Sequence, residues 1–170
     1  MAATVAEEVR VENPEADYET LKKELKATTE DGAQLRAEDV VLRTRILNLS
    51  KDYIYRIDRH FWIGRAVTDR TTLAAGNYAI LTEQGPRHET VKYGEAWATG
   101  NESTDRKWVF AFDSDRQKAY AEAGPSGRVD WDVVEEALVK SGSKSESDDP
   151  LLGGKTVAEV DGTNAYATFR

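Results

Sequence analysis

Cysteine is absent from this chain of 170 residues, which excludes a disulfide framework, a thiolate metal centre and a cysteine nucleophile. The same absence leans toward the cytosol or nucleus. Histidine is scarce: His60 and His88 are the only two, and no HxH or HxxxH spacing links them, so a zinc centre lacks ligands. There is no GxSxG elbow for a serine nucleophile. Gly153-Gly154-Lys155-Thr156 ends like a phosphate-cradling loop, but Asp148 and Asp149 stand where its first glycine belongs. The apolar runs fall far short of the ~20 residues a spanning helix requires. Acids begin at Glu7, with no basic lead and apolar stretch of the kind a secretory leader needs. The expectation is a soluble protein of the cytosol or nucleus that uses no cofactor.

Charge is plentiful but uneven. The net charge is −8. Residues 1–39 carry 11 acids and 5 bases, residues 40–128 carry 11 and 14, and residues 129–170 carry 9 and 4. A mildly basic body is thus flanked by acidic ends. Ten of the body's 14 bases are arginine, the side chain best shaped for bidentate contact with phosphate or carboxylate. The plainer reading pairs them with neighbouring acids on solvated strand faces; the sharper one makes an anion site. No nucleic-acid partner is expected, because counterion release needs a concentrated basic surface.

Along the chain, residues 1–13 read as polar and irregular. Asn13-Pro14 has the form of a helix cap and first turn, and Tyr18, Leu21 and Leu25 form a thin apolar stripe that ends at Asp31-Gly32. From residue 40 the period changes to two. Residues 40–49 and 53–62 flank the turn Ser50-Lys51-Asp52 and read as a hairpin. Further strands are expected at 77–82, 89–99, 107–113 and 118–122, with turn residues between them. After Gly124-Pro125-Ser126-Gly127 the spacing of Val129, Val133, Val134, Ala137 and Leu138 predicts an amphipathic helix capped by Asp130. Residues 141–149 read as a mobile acidic loop, and 156–160 and 165–169 as two returning strands. The fold class is mainly β (α+β): an antiparallel β-sandwich with a flanking N-terminal helix and a C-terminal amphipathic helix. Residues 1–34 form the acidic tail and helix, and residues 35–170 the sandwich.

The order of signals carries a resemblance. Asn48 ends one strand, His60-Phe61-Trp62-Ile63-Gly64-Arg65 lies in the next, and Ala75-Gly76 precedes Tyr78-Ala79. Val91-Lys92-Tyr93-Gly94, Lys107-Trp108-Val109-Phe110-Ala111-Phe112, Ala119-Tyr120-Ala121-Glu122 and Val129-Asp130-Trp131 follow. Over residues 35–140 this series resembles the 23-kDa jasmonate-induced proteins of plants. More remotely it is similar to the β-sandwich of aegerolysins and actinoporin-like lipid-binding proteins. Arg70 and Asp115 stand where that family is expected to carry prolines. The resemblance implies no enzymatic activity, but a stress, wound or defence protein that binds lipid or carbohydrate.

Tyrosine and tryptophan suit wet interfaces because one end is apolar and the other hydrogen-bonds. Where they interleave with arginine, a headgroup or acidic-sugar surface is expected: Tyr55, Arg59, Trp62 and Arg65 from one strand with Tyr93 and Trp97 from another. Each of these aromatics has a competing place in the core. Asp113-Ser114-Asp115 and Asp130-Trp131-Asp132 place carboxylates two apart, so Asp113 and Asp115 are the weak metal candidates, against turn closure by Asp113 and helix capping by Asp130. Three classes stay open: a non-enzymatic binder of membrane lipid or glycan, a protein-interaction module recruited through the acidic N-terminal helix, and a small metal-binding protein or enzyme using the Asp pairs. Homo-oligomerisation is compatible with each.

Overall fold

The computed structural model describes residues 3–26, 40–86 and 90–170. In chain order the elements are β1 (Thr4–Val5), β2 (Glu8–Arg10), α1 (Tyr18–Lys26), β3 (Val40–Asn48), β4 (Ile54–Ile63), β5 (Arg65–Ala66), β6 (Thr68–Asp69), β7 (Thr72–Leu73) and β8 (Asn77–Gly85). They continue with β9 (Lys92–Ala98), β10 (Arg106–Asp113), β11 (Lys118–Pro125), α2 (Trp131–Lys140), β12 (Lys144–Asp148), β13 (Lys155–Asp161) and β14 (Asn164–Phe169). One sheet runs β11-β10-β9-β4-β7; the facing sheet runs β12-β13-β14-β3-β8-β2, with β5 beside β8. The fold is therefore a β-rich α+β sandwich. Its strands pair antiparallel except for β14 with β3 and β1 with β6, which are parallel.

Period-two sequence fills the space between the sheets. Tyr93, Glu95 and Trp97 of β9 and Trp108, Phe110 and Phe112 of β10 are all buried and pair across the ladder. The facing sheet contributes Leu42, Ile46, Leu81, Ala167 and Phe169 to the same core. Phe110 and Phe169 stack at 6.2 Å and Trp108 and Phe169 at 5.8 Å across the two sheets. Burying each such ring removes enough apolar surface to contribute roughly 1.5–3 kcal/mol.

Positions that alternate with these rings are small. Gly94 has no room for a side chain: a Cβ there would lie 2.6 Å from the Trp131 ring and 2.7 Å from the Phe110 carbonyl. That flat outer surface receives α2, which packs Val134 and Leu138 onto Ala111 beside Trp62, Tyr120 and Trp131. Asp130 caps α2 as expected, accepting from the backbone N–H groups of Asp132 and Val133. On the other outer face, α1 packs Leu21 and Leu25 against Leu47 and Tyr166. The buried Arg45 guanidinium donates to the Leu25 carbonyl at 2.8 Å, satisfying the end of α1, and lies 5.6 Å from the Tyr166 ring centre. The layers are helix, sheet, sheet, helix. Among the described residues no helix is long and apolar enough to cross a membrane.

Several expectations are corrected. Residues 4–5 and 8–10 are strands β1 and β2, held by pairing to Thr68–Asp69 and to Asn77–Ala79, not an irregular stretch. The helix begins at Tyr18 behind Asp17, whose carboxylate accepts from the Thr20 N–H at 2.8 Å, so Asp17 takes the capping role read into Asn13. Its expected end at Asp31-Gly32 lies outside the described residues. The 40–63 hairpin does not form: β3 and β4 lie in opposite sheets. Buried Asn48 makes that crossover. Its amide donates to the carbonyls of Asp52 and Leu73, and its carbonyl accepts from Ser50.

The acidic loop 141–149 contains strand β12. Its alternating serines seal the seam between the sheets, since Ser145 Oγ accepts from the Ala121 N–H and Ser147 Oγ from the Ala123 N–H on edge strand β11. A charged, serine-bearing edge also discourages pairing with a second chain.

Two substitutions test this packing by thermal and urea melts. Gly94→Ala is expected to cost about 1–3 kcal/mol, because the ring of Trp131 and the backbone of β10 must move apart. Ser147→Ala is expected to cost about 1 kcal/mol by orphaning the Ala123 N–H.

Candidate functional site

The six residues expected to form one aromatic and arginine surface are dispersed. Tyr93 and Trp97 are 0% and 1% exposed and belong to the core, so neither reaches a ligand at the surface. A β-bulge explains much of the rest. Within β4 the register shifts between Arg56 and Asp58, and one extra residue exchanges the two faces of a strand. Ile54 and Arg56 point inward before the bulge, Arg59 and Phe61 after it, while Tyr55 and Trp62 remain outside. Arg59 pairs with Asp69 at 2.9 Å and covers the Phe61 ring at 5.4 Å. Trp62 is half-buried against Trp131 and carries the Lys92 ammonium 5.5 Å over its ring. Arg65 lies on β5 of the facing sheet and donates to its cross-strand neighbour Gln84 on β8. Tyr55 and Trp62 are seven residues apart on one strand, about 23 Å.

The other sequence candidates have structural employment. Asp113 is buried and accepts from the N–H groups of Asp115 and Arg116, closing the β10–β11 turn. Asp115 donates its own N–H to Thr90 Oγ1 and brings no second carboxylate to a shared centre. Among the described residues, no group of three or more His, Asp or Glu side chains is placed to hold a metal ion. His60 lies 5.9 Å from the Trp131 ring and packs beneath the start of α2. His88 lies outside the described residues.

What the fold does assemble is one end of the sandwich. The strand registers bring loops 49–53, 99–105 and 149–154 together there with the C-terminal residue. Tyr53 and Tyr55 are 47% and 46% exposed and meet edge to face, 5.3 Å apart. They wall a cleft of about 500 Å³ completed by Asp52, Thr104, Arg106 and Leu152. On the other side of Tyr55 a second hollow of about 400 Å³ is lined by Arg56, Ile57, Gly100 and Asn101. Arg106 is ion-paired with Asp52 at 2.6 Å. The 99–105 loop is fixed by Asp105, which accepts from Thr99 Oγ1 and the Glu102 N–H. A Cβ at Gly100 would lie 2.4 Å from the Asp105 carboxylate, which would have to shift to admit it.

Loop 149–154 places a leucine in solvent on a well-tied turn. Asp149 N–H donates to the Gly154 carbonyl and Gly153 N–H to the Asp149 carbonyl, each at 2.7 Å. The Leu151 N–H donates to Asp149 Oδ1 at 3.0 Å, and Gly153 takes φ +79°, which glycine allows without strain. Leu151 is 90% exposed. Sequence reasoning passed over this turn, although Asp-Pro-Leu-Leu-Gly-Gly signals it: two large apolar residues bracketed by turn formers have no element to bury them.

Behind the hollow, Arg56 reaches inward to an acid cluster. It pairs with Asp69 and stands 3.6 Å from Glu95. Glu95 is fully buried and accepts from Trp97 Nε1 at 2.9 Å. Burial raises its carboxyl from 4.5 to about 7, against the opposing pull of Arg56 and the Trp97 hydrogen bond. Glu83, also buried, accepts from Thr44 Oγ1 at 2.6 Å, and burial lifts it too.

No family model and no curated protein matches the sequence. Among solved structures, the chain is similar to the lipid binding protein Nakanori, with a TM-score of 0.59 and 17% identity over 89% of this chain and 76% of that one. The likeness is one of fold.

The raised Glu95 carboxyl gives a signed prediction. The folded state holds its proton more tightly than the unfolded chain, so its contribution is fully present below pH 4.5 and is lost as pH rises through about 7. Glu95→Gln cannot titrate. Urea melts across that range are expected to show wild type losing stability relative to Glu95→Gln as pH rises, by on the order of 1–3 kcal/mol in total.

Proposed function

We propose that this protein binds a lipid surface through the loop end of the sandwich and catalyses no reaction. The observation that carries the reading is Leu151, presented 90% exposed on a turn fixed by its own hydrogen bonds, next to two half-exposed tyrosines. A large apolar side chain held out in water by a rigid turn gains free energy by entering an apolar phase, and tyrosines beside it suit the headgroup layer. The fold likeness to a protein named for lipid binding supports the same reading. A role in stress, wound or defence responses is part of the proposal on the strength of the sequence resemblance. The outer sheet faces are poorer candidates, because α1 and α2 cover them.

The protein-interaction alternative through the N-terminal helix is less favoured. The apolar stripe of α1 is spent on the sheet, and Tyr18 and Lys22 both donate to Glu159 at 2.9 Å.

Vesicle flotation tests the reading. Wild type is expected to float with vesicles, and Leu151→Ser to lose about tenfold or more in apparent affinity, the equivalent of one buried leucine. Its melting temperature is expected to be unchanged, since the side chain makes no core contact. Equal flotation of Leu151→Ser, or no flotation of wild type with any lipid mixture, contradicts the proposal.

A further inference from the structure

The loop end has a charge pattern that selects among lipid headgroups. Both arginines lining the two hollows are already committed, Arg106 to Asp52 at 2.6 Å and Arg56 to Asp69 and Glu95. A bare phosphate entering here therefore meets no unpaired guanidinium among the described lining residues, and it faces the carboxylates of Asp52 and Asp105. Phosphate recognition ordinarily depends on charge-assisted donors, and here the charge of each guanidinium is already balanced by a neighbouring carboxylate.

A sugar ring has different requirements. Its C–H face needs an aromatic plane, and its hydroxyls need carboxylate, amide or hydroxyl partners. Tyr55 stands between the two hollows, half-exposed, with Tyr53 edge-on at 5.3 Å to hold the ring in place. Asp52, Asn101 and Thr104 offer a carboxylate, an amide and a hydroxyl around it. The hollows, about 500 and 400 Å³, lie within the range of small-ligand sites. Leu152 lines the same cleft, and its neighbour Leu151 is the exposed apolar tip, so sugar contact and lipid contact are contiguous.

We infer that the paired hollows beside Tyr55 take an uncharged sugar ring, so that the lipid recognised is a glycosylated one. The ring stacks on Tyr55 while Leu151 meets the apolar boundary below it. This rests on the lipid-surface reading above, and the test separates the two.

Binding is measured by flotation and calorimetry with vesicles of phosphatidylcholine alone, and of phosphatidylcholine with glucosyl-, galactosyl- or lactosylceramide, or with phosphatidylserine. At least one glycosylceramide is expected to bind about tenfold more tightly than phosphatidylcholine alone, with competition by the matching free glycoside. Phosphatidylserine is expected to add nothing. Tyr55→Phe is expected to retain the preference and Tyr55→Ala to abolish it, about a tenfold loss. Leu151→Ser is expected to weaken all vesicle binding while leaving free-glycoside binding intact. Binding that is equal on every vesicle, or strongest on phosphatidylserine, with no glycoside competition, overturns the sugar inference and leaves lipid-surface binding standing. Glycoside binding that depends on Tyr55, with no vesicle captured, removes the lipid reading and leaves the sugar site. Capture of neither removes both.

Discussion

The inward ladder of Tyr93, Glu95 and Trp97 facing Trp108, Phe110 and Phe112 is the constraint on which the remaining architecture depends. Because alternate residues of a strand point to opposite faces, placing the large rings inside leaves Gly94, Ala96 and Ala111 outside. An outer face that flat admits a helix at close range, and α2 fills it with Trp131, Val134 and Leu138. With α1 covering the facing sheet, both broad surfaces of the sandwich are occupied. The surface proposed for recognition is an end of the sandwich, where loops of irregular conformation present Tyr53, Tyr55 and Leu151.

Much of this was legible in the sequence, for identifiable reasons. The strands from residue 40 onward and the second helix follow from periodicity, and Asp130 and Asp113 do what a cap and a turn residue do. Pairing was less legible, because adjacent strands with a short polar turn between them look alike whether they form a hairpin or cross between sheets. Here one buried side chain, Asn48, decides it by tying the crossover to Asp52 and Leu73. The serine-rich stretch 141–149 was opaque for another reason. Strand β12 is polar on both faces and offers no apolar surface; it gains its place by backbone pairing with β13 and by Ser145 and Ser147 accepting from the β11 edge.

The candidate site is the feature least legible in the sequence. Simple alternation groups Tyr55 with Arg59 and Phe61, yet the bulge near Ile57 reverses the faces partway along β4. Of the six residues expected to bind, Tyr55 alone stands in the cleft at the loop end. Tyr93 and Trp97 went to the core, Arg59 to an ion pair with Asp69, Arg65 to Gln84, and Trp62 to the underside of α2. The neighbours that complete the cleft, Asp52, Tyr53, Arg106 and Leu152, come from three separated segments that only the strand registers bring together.

The central claim is that the loop end, and not an outer sheet face, meets the lipid. The absence of cysteine makes the direct measurement simple, since single nitroxide labels can be placed through Leu151→Cys at the turn and Val133→Cys on the exposed side of α2. On addition of vesicles, the label at position 151 is expected to become shielded from a water-soluble relaxation agent and accessible to oxygen, while that at position 133 stays in water. Shielding at position 133 with position 151 left in water would contradict the account.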